Sequence, residues 1–250
     1  MGILLKDSLE DVGSGETAPG VTVRNEFLCS VAINDSVQFP LRVARAAAMN
    51  GSIALLMPAL GVSSRYYERF ACRLATGGLT TVTVDLRGQG ESLPAPRRGD
   101  EHGYMDIVET DLPRIIAEVA NQFPGQSIWL VGHSLGGQLA LVFAGLNPKI
   151  IAGIAVIATG SAWYGGFTGK RRVRNLFLSQ LVALISLSTG LWRGDVLGFG
   201  GRQSSVLMRD WARQVKTGQY TAHGSKVDYE SHIADEHVEG RCQRAVERAA

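Results

Sequence analysis

The sequence predicts an α/β fold built on a mostly parallel, doubly wound sheet. Short, continuously apolar runs alternate along the chain with segments of helical periodicity. This alternation is typical of parallel strands that crossover helices bury on both faces. The 250 residues, 45% of them apolar, are enough for one domain with a full core.

The first predicted element is an antiparallel hairpin. Val21–Val31 and Val37–Ala44 lean towards alternation on either side of the polar turn Asn34–Ser36. Residues 1–20 have a short apolar patch followed by acidic residues and glycines. We therefore expect a flexible lead there and no secretory signal.

The core, residues 21–160, continues as strand–helix units with right-handed crossovers. The predicted strands are Ser52–Met57, Thr80–Val84, Ser127–Val131 and Ile150–Ala158, and the predicted helices are Ser63–Thr76, Tyr104–Phe123 and Gln138–Leu146.

Beyond Gly160 the pattern changes to a helical cap insertion, residues 161–218, and then to an atypical polar segment, 219–250. Cap helices are predicted at Leu176–Leu191 and Ser204–Gly218. The first of them follows a basic stretch and is too short to span a membrane, so packing on its own domain is favoured over contact with a membrane surface. The cap is rich in aromatic residues, which indicates either an apolar acyl or aryl pocket or an ordinary buried helix. These are Trp163, Tyr164, Phe167, Phe177 and Trp192.

Charge and cysteine content exclude several classes of function. The net charge of +2 is too small to indicate a nucleic-acid partner. Cys29, Cys72 and Cys242 form neither an even set nor a CxxC pair, which favours reduced thiols in a cytoplasmic protein. No metal-ligand cluster or dinucleotide glycine fingerprint occurs, so we infer no cofactor.

The prediction of a catalytic residue rests on the pentapeptide Gly132-His-Ser-Leu-Gly136. It follows an apolar strand and opens an apolar helix, which is the context that a nucleophile elbow requires. The glycines allow the strand and helix to approach each other, and the turn exposes the Ser134 hydroxyl. We predict that Ser134 is a nucleophile.

With this motif the chain resembles the α/β-hydrolase superfamily. The segment Asp85-Leu-Arg-Gly-Gln-Gly-Glu-Ser92 resembles the family's Asp-x-Arg-Gly-x-Gly-x-Ser loop, in which Asp85 and Arg87 are expected to brace glycine turns. Pro58-Ala-Leu-Gly61, followed by Ser64-Arg-Tyr-Tyr67, is similar to a bacterial esterase-like branch. The resemblance implies a serine esterase with a small-molecule ester or acyl substrate.

A serine esterase needs two backbone N–H groups to stabilise the oxyanion. The resemblance places one at Leu135, directly after the nucleophile, and the other in the Met57–Gly61 loop. Pro58 has no N–H, so we predict Leu60 as the second donor, with Ala59 as the next choice.

The acid and base are harder to place. In this superfamily an acid and then a histidine follow the serine, each after a further strand. No buried-type strand precedes Asp228, His232 or His237. Asp228 and His237 are the candidate acid and base, and the alternative is that His223, His232 and His237 are surface residues. His133 is expected to pack beside the turn, and His102 is predicted to be solvated.

Two hypotheses about the function therefore remain open. The first is a serine hydrolase of the esterase type, whose residues would equally serve acyl transfer to an alcohol. The second is a catalytically impaired or non-enzymatic binding protein of the same fold. We also expect the last strands to be missing through C-terminal loss or an altered reading frame. The superfamily strand order 1-2-4-3-5-6-7-8 would then leave strand 150–158 as an edge prone to self-association.

Overall fold

The computed structural model describes residues 23–234. The predicted flexible lead, His237 and Cys242 lie outside this range. The main sheet has six strands in the order β1-β2-β4-β3-β5-β6. They are β1 (Asn25–Ala32), β2 (Gln38–Ala44), β3 (Ser52–Met57), β4 (Thr80–Val84), β5 (Ser127–His133) and β6 (Gly153–Ile157).

The directions of the strands confirm the predicted mostly parallel sheet. β1 and β2 form the predicted antiparallel hairpin, and β2 also runs antiparallel to β4. The pairs β3–β4, β3–β5 and β5–β6 are all parallel. Because β3 and β4 are buried almost throughout, the apolar run of β3 and the β-branched run of β4 reflect helices on both faces of the sheet.

Helices pack on the sheet, and further helices follow β6 along the chain. They are α1 (Glu68–Thr76), α2 (Leu112–Gln122), α3 (Leu135–Leu146), α4 (Gly169–Thr189), α5 (Gly194–Leu197), α6 (Ser205–Thr217) and α7 (Tyr229–Ile233). A turn of 3-10 helix precedes α1 and a π-helical turn precedes α2. Two short strands, β7 (Leu191–Arg193) and β8 (Arg202–Ser204), form a separate hairpin.

Helix α4 begins seven residues earlier than predicted. The basic stretch Lys170–Arg174 belongs to its first turns and is exposed. Lys and Arg are good helix formers, and exposed positions require no apolar side chain, so hydrophobic periodicity gave no sign of this start. Gly190, with φ 71°, ends the helix in the left-handed conformation.

One face of α4 packs on its own domain, as predicted. Gln180 Nε2 donates to the Ala212 carbonyl of α6 at 2.9 Å, and Ser179 and Ser186 are buried. On the opposite face Phe177 and Leu184 stay largely exposed. No helix within residues 23–234 is long and apolar enough to cross a membrane.

Candidate active site

Ser134 lies at the turn between β5 and α3, where its backbone has φ 51° and ψ −114°. Its N–H donates to the Ile157 carbonyl of β6 at 3.0 Å. Ala158, the next residue of that segment, also has a positive φ, and no other non-glycine residue in the described part of the chain does. The predicted strained strand-to-helix turn is thus confirmed.

Glycines make this turn sterically feasible. A Cβ on Gly132 would lie 2.3 Å from Gly137 Cα, so the end of β5 and the start of α3 are almost in contact. A Cβ on Gly136 would lie 2.6 Å from the carbonyl oxygens of Met57 and Pro58. The first turn of α3 therefore abuts the loop that follows β3, and Leu135 is brought next to that loop.

Thr159 supports the turn and was not predicted from the sequence. Its Oγ1 lies 3.3 Å from the carbonyl oxygens of Gly132 and Ser134 and 3.0 Å from that of Ile157. Three carbonyl oxygens around the serine thus lie within hydrogen-bond distance of this one hydroxyl, which has a single proton to donate. No local pattern marks a threonine 25 residues after Ser134 for this role.

The backbone amides of the loop after β3 differ in their hydrogen bonding. The Ala59 N–H donates to the Tyr67 hydroxyl at 3.1 Å, and the Gly61 N–H donates to Gln89 Oε1 at 2.6 Å. The N–H of Leu60, between them, makes no hydrogen bond within residues 23–234. Leu135 is the first residue of α3, so its N–H has no carbonyl one turn earlier in the helix to bond.

Tyr67 also forms a hydrogen bond with His133. Its hydroxyl lies 2.6 Å from His133 Nδ1, and the two rings meet edge to face. Burial raises the pKa of Tyr67, which keeps the hydroxyl protonated, so we assign it as the donor to Nδ1. His133 packs beside the turn, as predicted. The contact with Tyr67 was not predicted, because the two residues lie 66 positions apart.

The Asp85–Ser92 loop is braced as predicted. The Asp85 carboxylate accepts the N–H groups of Ser64 at 2.5 Å and Glu91 at 2.8 Å. Burial raises the pKa of this carboxyl group, against the opposing effect of those hydrogen bonds. Arg87 forms a two-pronged ion pair with the buried Asp111. Gln89, in the same loop, contacts Gly61, so the bracing extends to the loop after β3.

The four histidines that the structure describes make no hydrogen bond to Ser134. The backbone N–H of His223 donates to the Asp210 carboxylate, and the side chain of His232 lies exposed on α7. His102 corrects a prediction, because its ring is partly buried rather than solvated. Its carbonyl accepts from Ser204, and its Nε2 has no partner within the described residues. Burial and then the nearby Arg87 lower its pKa to about 4.

Asp228 lies at the start of α7, where its carboxylate caps the helix by accepting the Ser231 N–H at 3.3 Å. Helix α7 packs against the far end of α3, because a Cβ on Gly145 would lie 2.8 Å from the His232 carbonyl oxygen. At 1.5 Å per residue, that contact is about 15 Å along α3 from Leu135. His237 lies outside the described residues, so the pairing of Asp228 with His237 stays a prediction.

Comparison with known proteins assigns the class. The family model described as serine aminopeptidase, S33 (Hydrolase_4) matches residues 51–194, which is more than half of the chain. This range includes β3 and its loop, Ser134 and α4. The chain therefore belongs to this family and is a member of the α/β-hydrolase superfamily.

Individual relatives are more distant. A dihydrolipoyllysine-residue acetyltransferase component of the acetoin cleaving system of Pseudomonas putida is 33% identical over 112 residues, 42% of this chain and 28% of the relative. The chloroplastic pheophytinase of Arabidopsis thaliana is 24% identical over 138 residues, 46% of this chain and 28% of the relative. The chain thus spans less than a third of the length of either of these relatives.

Among solved structures, a soluble variant of monoglyceride lipase from Saccharomyces cerevisiae superposes with a TM-score of 0.58. The match covers 78% of this chain and 69% of the lipase at 17% identity. At this identity the likeness concerns the fold alone.

Proposed function

We propose that the chain is a serine hydrolase that cleaves small-molecule carboxylic esters, with Ser134 as its nucleophile. The observation that carries the proposal is the strained backbone of Ser134, together with two amides that are not engaged elsewhere in the described chain: that of Leu135 in the first turn of α3, and that of Leu60 in the loop that this turn abuts. The Ser134 hydroxyl makes no hydrogen bond to another described residue, so it is free to attack a carbonyl carbon.

In this proposal Ser134 Oγ adds to the ester carbonyl, and the carbonyl oxygen gains negative charge. The N–H groups of Leu135 and Leu60 donate to that oxyanion, and each such donor contributes roughly 3 kcal/mol to transition-state stabilisation. Because Tyr67 engages the Ala59 N–H, Leu60 is favoured over Ala59 as the second donor. The alcohol leaves, and water then releases the acyl group from Ser134.

The proton of Ser134 must pass to a base. The superfamily's chain order favours His237, oriented by Asp228, since both follow the serine. The packing of α7 at the far end of α3 argues against His232 as the base and equally against Asp228, which caps that helix, so the chain order alone supports Asp228 as the acid. We also propose a cytoplasmic location, which is supported by the free thiols of Cys29 and Cys72.

A second candidate is a non-catalytic binding protein of the same fold. One observation favours it: no imidazole in residues 23–234 hydrogen-bonds to Ser134. Loss of a triad member would leave only about 10³–10⁴-fold catalysis over water, which comes from the oxyanion hole and binding.

Hydrolysis of p-nitrophenyl butyrate by the full chain distinguishes the esterase from the non-catalytic binding protein. An esterase should turn over near the typical rate of about 10 per second, and Ser134→Ala should abolish the activity. His237→Ala should lower it by roughly a thousandfold or more, whereas the matched variant His232→Ala should retain it. Absence of hydrolysis by the unmodified chain would favour the binding protein. Adding an alcohol and analysing the products would detect acyl transfer.

A further inference from the structure

A small cavity lies where the Asp85–Ser92 loop meets strand β8. Its volume is about 260 Å³, just below the roughly 300–1,000 Å³ of sites for drug-sized molecules. Four of the residues that line it are glycines, namely Gly61, Gly88, Gly90 and Gly201. Much of its wall is therefore backbone, and its size suits a small, compact ligand.

Two glutamines line this cavity, and backbone contacts fix the orientation of both side-chain amides. Gln89 Oε1 accepts the Gly61 N–H at 2.6 Å, and Gln203 Nε2 donates to the Gly200 carbonyl at 2.7 Å. An amide oxygen cannot donate and an amide nitrogen cannot accept, so neither side chain can be reversed. The remaining ends are a donor, Gln89 Nε2, and an acceptor, Gln203 Oε1.

These two ends are buried and have no hydrogen-bond partner among the described residues. Gln89 is 5% exposed and Gln203 is fully buried. Buried polar side chains nearly always have a partner, because an unpaired one loses its hydration without compensation. Since both glutamines line the same cavity, a molecule bound there can accept from Gln89 and donate to Gln203.

The rest of the lining adds donors and no unpaired charge. The backbone N–H groups of Gly88, Gly90 and Gly201 make no hydrogen bond within residues 23–234. Arg202 is the one charged residue in the described lining, and it pairs with Asp195 at 3.2 Å. The cavity therefore favours a neutral ligand with several acceptor atoms and at least one donor.

We propose that this cavity is a binding site for a neutral polyhydroxylated molecule, a polyol or a monosaccharide. Each hydroxyl both donates and accepts, so one hydroxyl group satisfies Gln89 or Gln203 in either role, and its neighbours can accept the glycine N–H groups. A carboxylate only accepts and would leave Gln203 Oε1 unpaired, and a hydrocarbon would leave both glutamines unpaired. A primary amide has a single acceptor oxygen for several donors.

A bound polyol would connect two parts of the molecule. Gln203 belongs to β8, whereas Gln89 belongs to the loop that follows β4 and holds Gly61 of the loop after β3. The ligand would therefore hold hairpin β7–β8 against these two loops. This site does not depend on the esterase activity proposed above, because neither glutamine takes part in that reaction.

Isothermal titration calorimetry of the full chain with erythritol, D-glucitol and D-glucose tests the site. At least one of them should bind saturably in the millimolar range. Acetate and acetamide should bind roughly tenfold more weakly or worse, because each leaves polar groups of the cavity unpaired. Hydrogen–deuterium exchange should slow on binding in peptides that cover residues 86–92 and 200–204.

Variants locate the binding. Ala95 is an exposed residue of the lining, so Ala95→Trp fills the cavity without removing a hydrogen bond and should weaken binding roughly tenfold or more. Ala47→Trp is the matched control and should bind like the unmodified chain. Ala47 is exposed just after β2, whose Ala44 pairs with Thr81 near the start of β4, at the opposite end of that strand from the cavity.

Gln203→Met removes the buried acceptor while keeping the length of the side chain, and it should weaken binding to a similar extent. If this variant fails to fold, Ala95→Trp still decides. Absence of saturable binding by all three polyols would overturn the site and would mean that water alone satisfies the two glutamines. Equal binding by Ala95→Trp, or tighter binding of acetate or acetamide than of the polyols, would also overturn it.

Discussion

At the scale of single residues, the backbone of Ser134 is the least favourable feature of the site. A positive φ on a non-glycine residue costs of order 1–3 kcal/mol. The hydrogen bond from its N–H to Ile157, and the Thr159 hydroxyl beside its carbonyl, offset part of that cost. The neighbouring Ala158 has the same strain. Strained backbone of this kind clusters at functional sites.

His102 gives a prediction about stability and pH. Burial lowers its pKa to about 4 in the folded chain, whereas an unperturbed histidine titrates near 6.5. Between these values the unfolded chain binds more protons, so His102 makes the folded chain less stable as pH falls from about 6.5 to about 4. The loss at the acidic end should approach about 3 kcal/mol.

Chemical denaturation of His102→Gln from pH 7.5 to pH 4 measures this contribution. The variant should lose less stability than the unmodified chain over that range, and the difference between the two should grow below pH 6.5. His232→Gln is the matched control, because His232 is exposed on α7, and its difference should stay near zero. A constant difference for His102→Gln at every pH would contradict the buried, uncharged imidazole.

At the scale of elements, the sequence predicts what its local patterns determine. The apolar run of β3, the β-branched run of β4, the alternation of β1 and β2 and the strand–turn–helix around Ser134 were all found where predicted. The start of α4 was missed because basic residues in an exposed first turn give no apolar period. The burial of His102 and the contact of Tyr67 with His133 were missed because tertiary packing between distant segments creates them.

The contact between α3 and the loop after β3 gives the next prediction. Gly136→Ala places a methyl group 2.6 Å from two backbone carbonyl oxygens, which overpacks the junction and should cost about 1–3 kcal/mol in folding free energy. The strain should also separate Leu135 from Leu60 and lower ester hydrolysis by a hundredfold or more. Thermal unfolding and kcat/KM check both effects.

Gly160→Ala is the control, since a Cβ there would have nothing within 4 Å and its φ is not positive. It should leave ester hydrolysis and melting temperature nearly unchanged. If Gly136→Ala behaved like Gly160→Ala, the close approach of α3 to this loop would not matter for the site.

At the scale of the whole molecule, β6 is an edge of the main sheet within the described residues. Val156 and Ile157 are 37% and 39% exposed, and the predicted edge segment 150–158 has neither charge nor proline to oppose pairing. We therefore predict that the 250-residue chain self-associates through this strand.

Size-exclusion chromatography with light scattering tests this association. The mass of the unmodified chain should rise with concentration, and Val156→Lys should restore a monomer. Val173→Lys adds the same charge on the exposed face of α4, where Val173 is 70% exposed, and should associate like the unmodified chain. A stable monomer of the unmodified chain at high concentration would mean that this edge does not mediate association.

The proposed hydrolase requires an activated serine at the elbow. The most direct test is covalent labelling of the full chain with a fluorophosphonate, followed by intact mass and peptide mapping, because only an activated hydroxyl reacts stoichiometrically. We expect one label per chain, located on Ser134, absent in Ser134→Ala and unchanged in Ser188→Ala, which removes an exposed hydroxyl of α4. A correctly folded chain that takes up no label, or that is labelled equally in Ser134→Ala, would contradict it.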